Sequence, residues 1–130
     1  MRADPRGRRI GRWLFALVFV SAGIVHLVAP HVYAPAMPPG LPAPRALILL
    51  SGLAEIAGGL GLVVSSPGVR RVAGWGLALL LVAVYPANVW MAVAGLGPEW
   101  ALWGRLPLQG ALVAAVLLVS DAVSVRPEAG

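Results

Sequence analysis

The chain has 130 residues, 59% of them hydrophobic and 12% charged, whereas a soluble domain carries roughly 45–50% apolar and 25% charged residues. It has no cysteine, so disulfides, thiolate metal centres and thiol redox chemistry are excluded as properties of the chain itself. Ten arginines, with no lysine, face five acids for a net charge of +5, a balance that would suit nucleic acid if the arginines formed one patch.

In chain order, a basic head over residues 1–11 leads into four apolar stretches at about 12–29, 46–64, 72–94 and 106–123, followed by a polar tail at 124–130. Each stretch is close to the 20 or so helical residues that cross a hydrocarbon core of about 30 Å. Unpaired backbone amides are not tolerated in hydrocarbon, and a barrel needs about eight alternating strands that this sequence lacks. The spacing therefore predicts an all-α transmembrane four-helix bundle. Residues 30–44 hold six of the twelve prolines and cannot be helical throughout. Ser65-Ser66-Pro67-Gly68 and Gly95-Leu96-Gly97-Pro98 read as turns, and residues 99–103 as a short interfacial stretch.

Arginine placement gives the orientation. Arg2, Arg6, Arg8, Arg9, Arg12, Arg70, Arg71 and Arg126 fall on one side of the expected spans, with Arg45 and Arg105 on the other. The positive-inside rule then puts both termini in the cytoplasm, an N-in/C-in topology. Charge so divided signals topology, and nucleic acid is set aside as a partner. Trp13 and Trp75 fall near the cytoplasmic ends of the spans, and Trp90, Trp100 and Trp103 near the outer ends, as two interfacial belts require. The Arg8-Arg9-Ile10-Gly11-Arg12 run resembles the start of a signal peptide, but no small-residue cleavage site follows it, so the first helix is expected to be retained.

Ionisable groups cost about 2.5–3.5 kcal/mol at the bilayer centre and so need a reason to be there. Glu55 falls near the middle of the second span, on a face shared with Ser51 and Gly58/Gly59. Ala54/Gly58 and Ala57/Gly61 are small-xxx-small pairs suited to close helix approach. At about 1.5 Å rise per residue, His26, Asn88 and Gln109 lie on the outer side of the midplane, with Arg105 and Arg45 just above them. Pro86, in Tyr85-Pro86-Ala87-Asn88, should kink the third helix and free a carbonyl near Val82, which Asn88 is placed to fill unless it bonds across helices. These positions define an expected outward-opening polar pocket of Glu55, His26, Asn88, Tyr85, Gln109, Arg105 and Ser51. Interhelical bonding is an equally good reading of Asn88 and Gln109. A salt link to Glu55 is the sharper reading of Arg105, whose default is snorkelling to headgroups. No second ligand stands at metal spacing from His26, so no metal site is expected.

Together these segments resemble the DoxX family of small four-helix membrane proteins. The resemblance runs over about residues 10–120 and rests on Ser21-Ala22-Gly23-Ile24-Val25-His26-Leu27 with Pro30 and Tyr33, Leu41-Pro42, Ser51-Gly52-Leu53-Ala54-Glu55 with Gly58-Gly59-Leu60-Gly61-Leu62, Tyr85-Pro86-Ala87-Asn88, and Arg105-Leu106-Pro107-Leu108-Gln109. It implies a four-helix bundle in the bacterial cytoplasmic membrane, associated with quinone-coupled oxidation or with membrane oxidoreductase assemblies.

The resulting expectation is a subunit that binds a quinone or another lipophilic molecule, or is accessory to a redox enzyme, and is not an enzyme on its own. Its partners would be the bilayer, the quinone, and an oxidoreductase subunit or a second copy. A non-enzymatic scaffold or assembly partner is the alternative. A small-solute transporter is weaker, because four helices offer little for alternating access without dimerisation.

Overall fold

Proline and glycine punctuation sets the ends of four helices: α1 (Arg6–Val28), α2 (Pro44–Leu62), α3 (Pro67–Val93) and α4 (Glu99–Val119). Pro44 and Pro67 open α2 and α3 at the first helical position, where the missing N–H is not needed and φ is already set. Ser66 caps α3, its hydroxyl oxygen accepting from the Val69 amide at 3.4 Å. At the far end of α3, Gly95 takes φ +66°. Its amide bonds to Ala92 O and that of Leu96 to Met91 O, closing the helix with paired carbonyls. Asp121 does the same for α4 at φ +60°, with Ala122 N reaching Leu117 O.

This computed structural model describes residues 5–123. The expected tail at 124–130, with Arg2 and Arg126 from the charge count, lies outside the described residues. All four helices are long and apolar enough to cross a membrane, and together they form an all-α, membrane-embedded bundle. Consecutive helices pack side by side, and a thinner α1–α4 seam closes the arrangement. Without a hydrophobic driving force between helices in lipid, such seams depend on close van der Waals fit and polar bonds.

All four helices start before the stretches expected from the sequence, α2 by two residues and α3 by five, so that Pro67 and Gly68 of the expected turn fall inside α3; α1 and α4 differ most. Residues 6–11 of the basic head belong to α1, because an Arg-rich segment extends a helix into water at little cost. Helix α4 begins at Glu99, not near residue 106. Pro98 precedes its first turn and Glu99 adds a carboxylate where the helix dipole favours one, so the interfacial stretch is continuous with the span. Pro107 is accommodated inside the helix.

The apolar core occupies the half of the bundle nearer the chain ends. Phe19, Leu62, Ala73, Leu77, Ala78 and Val116 cluster there, and Phe15 stacks on Phe19 at 6.0 Å. Below it, Asp121 gathers three arginines. Arg8 Nη1 donates to Oδ1 at 2.7 Å, while Arg12 and Arg70 approach Oδ2 at 3.9 and 3.8 Å. Arg12 is only 4% exposed and also donates to Val119 O, at the end of α4. Arg70 donates to Val64 O and Ser65 O, just beyond α2. These arginines thus cover carbonyls that helix ends leave unpaired.

Candidate functional site

The opposite half of the bundle holds the polar side chains, and a glycine crossing positions the first group. A Cβ added to Gly23 of α1 would sit 2.6 Å from the Gly52 carbonyl oxygen, and one added to Gly52 of α2 would sit 2.6 Å from His26 Cβ. Only glycine at both positions permits this backbone approach. The approach residues on α2 are therefore Gly52 and Gly59 towards α1, and Gly58 and Gly61 towards α3. Ala54 and Ala57, the small partners expected from spacing, are exposed.

One turn beyond the crossing, His26 Nδ1 lies 2.8 Å from Ala22 O and 3.0 Å from Glu55 Oε2. Its hydrogen bond goes to Ala22 O, and Glu55 Oε2 is left buried with no hydrogen-bond partner. Tyr33, held between two short 3-10 turns (Pro30–Val32 and Ala34–Ala36), stacks on the imidazole with ring centroids 3.7 Å apart. Burial pushes the Tyr33 phenol above its usual range, with Glu55 adding to the rise and Arg105 opposing it. Chemically the cluster offers a carboxyl oxygen able to accept, an imidazole able to exchange a proton through its other nitrogen, and an aromatic face.

The second group spans α3 and α4. Asn88 Nδ2 donates to Gln109 Oε1, and Gln109 Nε2 donates to Leu81 O. Pro86 lies inside α3 and has no N–H for the carbonyl one turn earlier. Helix α3 runs without a break through Pro86, and the amide that serves this stretch comes from Gln109 on α4, reaching Leu81, one residue before the expected Val82. Asn88 takes the interhelical bond. Tyr85 and Pro86 line a shallow apolar groove of about 400 Å³ beside Gln109.

The structure thus brings His26 together with Glu55, and Asn88 together with Gln109, as two groups. Arg105 makes no ion pair with Glu55 among the described residues; it is exposed, its Nη1 4.0 Å from Met91 Sδ. Ser51 is half-buried and makes no hydrogen bond to either group. Among the described residues no three His, Cys, Asp or Glu side chains are placed to hold a metal. Sequence reasoning assigned Tyr33 no role in the site, since a loop tyrosine carries no periodic signal. It also missed Asp121, although an acid directly after the last apolar stretch is a natural counter-charge for arginines before the first.

A family described as a domain of unknown function, DUF8561, matches residues 15–120. The chain belongs to this family. The matched segment takes in all of α2, α3 and α4 and most of α1, so the family is defined by the bundle itself. No curated protein and no solved structure matches the chain.

Proposed function

We propose that this membrane bundle binds a lipophilic molecule with a small polar headgroup, of the quinone class, at Glu55, His26 and Tyr33. In this reading it serves as a DoxX-like accessory to a membrane oxidoreductase and is not an enzyme alone. The observation that carries the reading is the Glu55 carboxyl oxygen, buried inside the bundle with no donor although an imidazole stands 3.0 Å away. A buried acceptor left unsatisfied costs about 1–3 kcal/mol, which a ligand hydroxyl would recover. A protonated carboxyl would donate equally well to a quinone carbonyl, and Tyr33 supplies a π face for a planar ring. The arginine distribution supports placing both termini in the cytoplasm of a bacterial cell, with this cluster in the outer half of the membrane.

The test is extraction of the full chain in mild detergent, with quinone measured by mass spectrometry after purification. Retained quinone is expected to fall about ten-fold in Glu55→Gln and in His26→Ala, the loss of one hydrogen bond to a charged or polarised group. Asn88→Ala should retain the wild-type amount. Equal quinone in wild type and Glu55→Gln would remove the site.

A further inference from the structure

Where the chain passes from α1 into α2, the proline-rich segment folds over a cavity of about 590 Å³, within the range of small-molecule sites. Its lining is largely apolar, with Ile48 from α2 buried at the bottom and Met37 and the exposed Val28 and Leu41 at its sides. His31 and Arg45 are its charged or ionisable side chains, and no acid lines it. Neither forms an ion pair among the described residues. The next acid along α2 is Glu55, about 15 Å further into the bundle. The cavity shares no lining residue with the His26–Tyr33–Glu55 cluster.

Two further features bear on the occupant. Prolines make up much of the wall, so little chain entropy remains to be lost when a ligand binds. Ala43, just before the wall residue Pro44, is held at φ +46°, a left-handed conformation costly for a residue with a Cβ. At this end of membrane-spanning helices the local surroundings are lipid headgroups, whose phosphates are the abundant anions.

We propose that this cavity binds a phosphate ester bearing an acyl tail, a phospholipid of the surrounding leaflet. The Arg45 guanidinium pairs with the phosphate oxygens, His31 donates an imidazole N–H, and the first methylenes of the tail lie on Val28, Leu41 and Ile48. A cation at the rim above an apolar floor complements an anionic head joined to hydrocarbon. A free phosphate would use the rim alone.

Native mass spectrometry of the full chain in detergent, titrated with phosphatidylglycerol, tests this. Wild type is expected to hold a single lipid that the double variant Arg45→Gln/His31→Gln binds about ten-fold more weakly. Arg45→Lys should restore most of the binding, and Arg105→Gln, a cation outside the cavity, should leave it unchanged. Excess inorganic phosphate should displace little of the lipid; complete displacement would assign the site to free phosphate and overturn the lipid proposal. Unchanged phosphatidylglycerol affinity in the double variant would overturn the site altogether.

Discussion

The two polar groups of the bundle sit in the same half of the molecule and solve the same problem differently. On the α3–α4 side, Asn88, Gln109 and the Leu81 carbonyl form a chain in which each bond found is an interhelical one. On the α1–α2 side, the imidazole bonds within its own helix and a neighbouring carboxyl oxygen goes without a donor. The first arrangement spends its polarity on holding two helices together beside Pro86. The second keeps an unmet acceptor, which packing alone gives no reason to retain.

The largest effect should come from the crossing that creates the second arrangement. Gly23→Ala puts a methyl against the Gly52 carbonyl and Ile56, and is expected to cost about 2–3 kcal/mol in reversible detergent unfolding. It should also abolish quinone retention by parting α1 from α2. Next comes Gln109→Leu, which strips both bonds from the α3–α4 chain. About 1–2 kcal/mol should be lost while bound quinone stays unchanged. If quinone falls with it, the two groups are one site and the contrast fails.

Asp121→Asn tests the opposite end, since asparagine keeps the left-handed conformation and loses only the charge. Because Asp121 and its closest partner, Arg8, are both partly exposed, a loss of about 0.5–1 kcal/mol is expected, shrinking as salt is raised. The smallest change in stability belongs to Glu55→Gln, a near-isosteric swap that removes the charge from the 3.0 Å His26 contact but breaks no hydrogen bond present in the fold. It should stay within about 0.5 kcal/mol of wild type, even as quinone retention drops. A stability loss as large as that of Gln109→Leu would mean that Glu55 is structural.

The number of helices and the polar positions could be read in the sequence, because apolar length and isolated ionisable residues are local signals. Which polar side chains meet could not. His26, Asn88 and Gln109 have similar depths, with Glu55 nearer the midplane, and depth along a helix carries no information about the rotation that pairs α1 with α2 and α3 with α4. The interfacial stretch shows a similar limit. Arg105 and Pro107 suggested a boundary, yet α4 runs on from Glu99 with Arg105 exposed and Pro107 inside the helix. The small-residue faces of α2 were legible as composition, but the choice of Gly52 over Ala54 depends on which side α1 approaches.

The aspartate that draws Arg8, Arg12 and Arg70 together follows the last helix, whereas two of those arginines precede or open the first apolar run. During synthesis α1 is therefore complete while its anionic partner has yet to be translated. Arg12 can take up its near-dry position only after the fourth crossing has been made and its end has reached the same side. The contacts that tie the first helix to Asp121 thus require the closing residues of the membrane domain to have been made.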